Sequence, residues 1–257
     1  MNTSLTLGVL TAVLALPAFA DEARVATYTS QLRTVRVTEL SRETAKLVAN
    51  KADTTDAVTA AVTLSGPSAP AVVGAVAKAS PASAAAAAAA AVKLQPKLAG
   101  TITKAAVSAA PVELESIVGA MCKAQPTSFY AIGVSAARTA PKSSDKVLPA
   151  ISAAVPALKP LIARSQADFA AAKRSASLAL VLKHTEDMVA ALARSSKQSP
   201  EALLAQGDTA VETQYASLAK AAPVQLPPFV PGGGTPGEIS AADSAEVTPG
   251  GRIYSGP

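Results

Sequence analysis

Prolines at 81, 96, 111, 126, 141 and 156 recur once every 15 residues, and they cut the middle of the chain into units of equal length. A fixed period is read before any local feature, because it decides whether a chain folds as one core or as stacked copies of a small element. Two further units precede Pro81 in the same frame, beginning at Ala52 and Pro67. A degenerate one, beginning at Ala157, follows Pro156.

Aligned on this frame, the units share a helical pattern. The sixth position holds Ala57, Val72, Ala87, Ile102, Ile117, Ile132, Val147 and Ile162, the ninth is always Ala or Ser, and the tenth is mostly apolar. Positions six, nine or ten, and thirteen fall on one face of an α-helix, whereas a strand would alternate every second residue. Proline fits the first turn of a helix, clashes in its interior, and holds the residue before it out of the helical region. Each unit therefore reads as a helix of about 11 residues, roughly 16 Å long, with a turn at the proline.

A helix that short is marginal alone in water, so its apolar stripe must find a neighbour. Short turns make successive helices antiparallel. The expected fold is all-α: antiparallel helical hairpins stacked into an α-solenoid-like array, with a closed helical bundle as the alternative. The small ninth position would let the backbones approach closely. Aromatic residues are only 3% of the chain and Trp is absent, so a large aromatic core is excluded and many small contacts in series must hold the fold.

Five segments follow. Residues 1–20 read as a signal peptide: an apolar run from Leu5 to Leu16, then Ala18-x-Ala20 ahead of Asp21-Glu22. That run is too short to span a bilayer as a helix. Residues 21–51 read as one charged amphipathic helix with Glu39/Arg42 and Glu43/Lys46 paired on its surface. The repeat array covers 52–171. Capping helices occupy 172–222, with one long helix from Leu161 to Ser196 and a last one opened by Ser199 as N-cap and Pro200, ending near Ala222. Residues 223–257 are rich in Pro and Gly and read as a disordered or extended tail.

Residues with chemical potential are few. His184 is the only histidine; Glu186 and Asp187 beside it do not complete a metal site, and a general base needs a positioned partner. It reads as a solvated helix residue. Cys122 is the only cysteine, so no intrachain disulfide exists, and its column asks for a small, partly buried side chain. The twelfth position carries Lys78, Lys93, Lys123 and Arg138, interrupted by Thr63, Ser108, Ala153 and Asp168. These cations complement helix C-termini, and alternating helix direction would place odd and even units on opposite edges.

Pro231-Gly232-Gly233-Gly234 lacks the Lys-Ser/Thr of a phosphate loop. Leu226–Phe229 and Arg252–Tyr254 have the form of docking segments. The net charge of +5 is spread without a basic run, which argues against nucleic-acid binding. Tetratricopeptide, ankyrin and leucine-rich signatures are absent.

The sequence thus points to an exported, non-catalytic structural or interaction protein of the bacterial envelope, periplasmic, on the outer surface or extracellular. No catalytic, cofactor or metal residue is expected. The expected partner is an envelope protein or surface. A membrane- or interface-associating helical protein is the alternative. Oligomeric state is not legible.

Overall fold

The computed structural model describes residues 18–173 and 175–221, with side chains from residue 22 to residue 217. The described residues form thirteen α-helices and no strand. In order these are α1 Ala18–Leu32, α2 Leu40–Ala49, α3 Thr54–Leu64, α4 Ala69–Ala79, α5 Ala84–Leu94, α6 Ala99–Ala109, α7 Leu114–Ala124, α8 Phe129–Thr139, α9 Val147–Ala154, α10 Leu158–Ala171, α11 Leu178–Ser196, α12 Pro200–Leu204 and α13 Asp208–Ala221. Most of the segment 1–20 and the tail 223–257 lie outside the described residues. The Ala20–Asp21 bond falls in the first turns of α1.

The proline does two jobs at each junction. The residue before it is driven out of the helical region: Ser80 lies at φ −143°, ψ 88°, and Gln125 at φ −142°, ψ 80°. The proline then opens a single 3-10 turn, such as Pro81–Ser83 or Pro126–Ser128, that runs straight into the next helix. Backbone bonds cross the junction without a gap. The Ser80 amide donates to the Val76 carbonyl at 2.8 Å, closing one helix, and the Ser83 amide donates to the Ser80 carbonyl at 2.9 Å, opening the next. From α3 to α8 one residue per junction leaves helical structure, with Ser143 a second after α8, and the proline sits where its missing N–H costs nothing. α4 to α8 each run 11 residues, as the spacing predicts.

The helices stack in two layers. Through α9, each helix packs most extensively on the helix two places along, and less on its immediate successor. The long-range contacts fix the direction. A Cβ built on Gly66, in the turn before α4, meets Gln95, while one built on Gly74, in mid-helix, lies 3.6 Å from the Ala105 Cβ. Both contacts pair residues about two units apart, as parallel neighbours must. Lys146 to Glu115, 2.9 Å apart, repeats the relation between α9 and α7. α1, α3, α5, α7 and α9 thus form one layer and α2, α4, α6 and α8 the other. Helices at the start of the chain do not pack extensively on those at its end, so the array is open, and the closed-bundle alternative does not hold.

The buried face is broader than the sequence stripe. In α4 it comprises Ala69, Val72, Val73, Val76 and Ala77, in α6 Ala99, Ile102, Thr103, Ala106 and Val107, and in α7 Leu114, Ile117, Val118, Met121 and Cys122. These are the third, sixth, seventh, tenth and eleventh positions. The thirteenth position, expected inside, lies at the margin of this face: Leu64, Ala109, Ala124 and Ala154 pack partly buried against the core, whereas Leu94 is 42% exposed. A helix touching both a layer neighbour and the opposite layer needs a wider apolar stripe than one in an isolated hairpin. Thr103 is tolerated inside because its hydroxyl donates to the Ala99 carbonyl at 2.7 Å.

Three helix boundaries differ from the sequence reading. Residues 21–51 are two helices, α1 and α2, that extend the two layers by packing on α3 and α4. Of the two pairings expected there, Lys46 to Glu43 closes at 2.8 Å and Arg42 to Glu39 only at 3.9 Å.

The long helix expected from Leu161 to Ser196 breaks into α10 and α11. Lys173 adopts a left-handed φ of 52°, and Ser177, extended at φ −69°, ψ 154°, caps α11 by accepting from the Leu180 amide. Ser199 caps α12 as read, accepting from the Ala202 amide at 3.1 Å, but that helix stops after five residues and α13 begins anew at Asp208. The regular alternation ends at α10. α11 rather than α10 packs extensively on α8, α12 touches the Pro126 turn, and α13 rests on α10 and α11.

Candidate functional surface

Among the described residues, the one polar pair with the outline of a catalytic one is Ser165 and His184, where Oγ and Nδ1 are 3.1 Å apart. The pair spans the break between α10 and α11, and His184 meets Phe169 edge-on at a centroid distance of 5.7 Å. The solvated-helix reading of His184 is therefore corrected: the ring is half-buried and partnered. The Ser165 hydroxyl also reaches the Val181 carbonyl, to which it can donate at 3.1 Å, and the imidazole tautomer sets which of Ser165 and His184 donates to the other. Ser165 is also wholly buried. The pair ties two helices together.

Cys122 is fully buried on α7, and burial pushes its thiol up to about 12. The sequence placed it as a small core residue, and it packs as one. No group of three or more His, Cys, Asp or Glu able to hold a metal occurs among the described residues. No described helix is long and apolar enough to cross a membrane.

The layers sort the cations. Lys93 and Lys123 sit on α5 and α7 of one layer; Lys78, Lys104 and Arg138 sit on α4, α6 and α8 of the other. The twelfth position thus divides between two faces, as alternating helix direction requires. Grooves open between parallel neighbours at equivalent places in each layer. The α7/α9 groove is lined by Glu115, Ser116, Gly119, Lys123, Pro149 and Ala150, and small side chains give it an apolar floor. The α6/α8 groove is lined by Gly100 and by Thr101, Lys104, Ser108, Ser135, Arg138 and Thr139, whose polar groups stand over a surface that is slightly more apolar than polar. The close approach of α6 and α8 depends on Gly100, where a Cβ would stand 2.9 Å from the Ser135 Oγ. A third hollow lies between α9, α10 and α11, around Asp145, Gln166, Phe169 and Leu178.

The ion pairs leave out the twelfth-position cations of both layers: Lys93 and Lys123 form none with any described residue. Lys146 pairs with Glu115, Arg164 with Asp168 at 3.1 Å, and Lys183 with Glu186 and Asp187 at 2.9 and 3.2 Å. The carboxylates hold the Lys146 and Lys183 ammonium groups above the usual lysine range. Lys78, Lys104 and Arg138 form no ion pair with any described residue. The sequence contains the cause: no Asp or Glu occurs between Asp56 and Glu113, or between Glu115 and Asp145. The twelfth-position reading saw the cations and missed the lack of carboxylates around them. It also missed Lys104, which joins that surface from the eighth position.

Comparisons with protein-family models, with curated proteins and with solved structures give no match to this chain. What it can do must be argued from its own surface.

Proposed function

We propose that the protein is an exported, non-catalytic interaction scaffold of the bacterial cell envelope, presenting an open two-layer helical array to a protein or polymer at that surface. The observation that carries this reading is the division of labour within each unit. Five positions are consumed in the core, and the outward positions repeat at fixed spacing with unpaired cations and shallow grooves. Repeat arrays use such surfaces for extended binding. An enzyme would instead gather titratable groups in one deep pocket, and the Ser165–His184 contact has its serine fully buried between helices. The apolar run and Ala18-x-Ala20 signature of residues 1–20 support export.

Two measurements test the reading. Expressed with its own N-terminus in a bacterial host, the protein should be recovered from the envelope with a mass beginning at Asp21. A photo-crosslinking residue in place of Lys93, or separately of Lys104, should give a discrete adduct in that compartment. Retention in the cytosol with residues 1–20 intact would defeat the export half. A featureless smear from both positions would defeat the scaffold half.

A further inference from the structure

The face formed by α4, α6 and α8 is cationic without relief. Lys78, Lys104 and Arg138 project from three parallel neighbours whose helices and preceding turns contain no carboxylate. The groove between α6 and α8 also offers the hydroxyls of Ser108 and Ser135, which hydrogen-bond to no described residue. Ammonium, guanidinium and free hydroxyls along one groove are the donor set for carboxylate oxygens.

The chain carries a matching segment. Beyond α13 it holds Glu238, Asp243 and Glu246, and no Lys or Arg occurs between Lys220 and Arg252. Asp243 and Glu246 are three residues apart, about 10 Å in an extended chain, which matches the 8–10 Å spacing of packed helices. The reach also agrees. α13 rests on α11, and α11 packs on α8, so α13 and α8 lie about two helix spacings apart across the array, roughly 16–20 Å. Glu238 follows Ala221 by 17 residues. Seventeen residues reach at most roughly 56–61 Å when fully extended, so the segment is long enough to cross that distance.

We propose that the segment Glu238–Glu246 docks in cis on the cationic groove between α6 and α8. The docked tail would cover this face and leave the Lys93–Lys123 face open. The contact is intramolecular and independent of where the protein resides.

Zero-length carbodiimide crosslinking of the full chain, read by peptide mass spectrometry on the monomer band, tests the contact. At low salt, amide links should join Lys104, with a smaller share at Lys78, to Asp243 or Glu246. Links to Lys93 and Lys123, on the opposite layer, should be at least about fivefold fewer. In about 1 M salt, where the Debye length falls to about 3 Å, the Lys104 links should drop severalfold. The surface variant Arg138→Gln, which leaves Lys104 able to react, should lower their yield at low salt. Links spread evenly over both layers, links found only in a covalent dimer, or no tail links at all would each overturn the proposal.

Discussion

Gly119 and Gly133 sit in consecutive helices, yet substitution by Ala should move stability in opposite directions. A Cβ at Gly119 meets nothing within 4 Å, so Gly119→Ala should stabilise by about 0.5–1 kcal/mol through helix propensity alone. At Gly133 the same Cβ would lie 2.5 Å from Leu182 Cδ1 and 2.8 Å from Ile151 Cδ1, where α8, α9 and α11 meet. Overpacking of about 1–3 kcal/mol there exceeds the helical gain, so Gly133→Ala should destabilise. Denaturant midpoints of the two variants decide it. Cys122 makes a second test. With its thiol pushed up to about 12, the native protein should resist a thiol reagent at pH 8 and react only as fast as it opens. The sign for stability follows. The fold holds the proton that the unfolded chain releases near pH 9.0, so this contribution is intact below that pH and lost as pH rises toward 12. Cys122's place was readable from its column, because a repeat states what each position must be. The Ser165–His184 bond was not, because it crosses a helix break that carries no proline.

Among elements, the proline-marked units were legible nearly to the residue and the flanking helices were not, for one physical reason. A proline changes backbone geometry locally, whereas the ends of α1, α10 and α12 depend on a left-handed residue, a serine cap or a neighbour's position. Even inside the array the proline is one solution among others. Gly66 stands in its place before α4, with Ser65 at φ −151°, ψ 85° and the same 3-10 turn, in which Pro67 follows one residue later. Pro111→Ala should therefore keep the turn and cost no more than about 1 kcal/mol, mostly by freeing the unfolded chain, which the shift in denaturant midpoint would report. The frame matters more than the imino acid. Deleting residues 82–96, one whole unit, leaves every other unit in phase, and the product should melt cooperatively with unchanged helicity per residue. Deleting residues 84–90 leaves four residues of α5 and should abolish the cooperative transition, although it removes fewer residues. Thermal melts by circular dichroism separate the two results.

At the scale of the whole molecule, small side chains set the architecture. Where the ninth position is Ala or Ser, parallel helices of one layer come close enough for Gly74 and Ala105 to be near contact. The sequence showed that small residues recur there, but not that they face the second-next helix rather than the next. Periodicity within a helix fixes which residues are inward without fixing which neighbour they meet. The central claim is therefore that helices two units apart lie side by side and parallel. In a Cys122→Ala background, the pair Gly74→Cys with Ala105→Cys places two Cβ atoms about 3.6 Å apart, within the range of an unstrained disulfide. The control pair Gly74→Cys with Ala89→Cys is closer in sequence but lies on opposite layers. Mild oxidation should close the first pair nearly completely and leave the second open; equal closure of both, or preference for the second, would contradict the two-layer array.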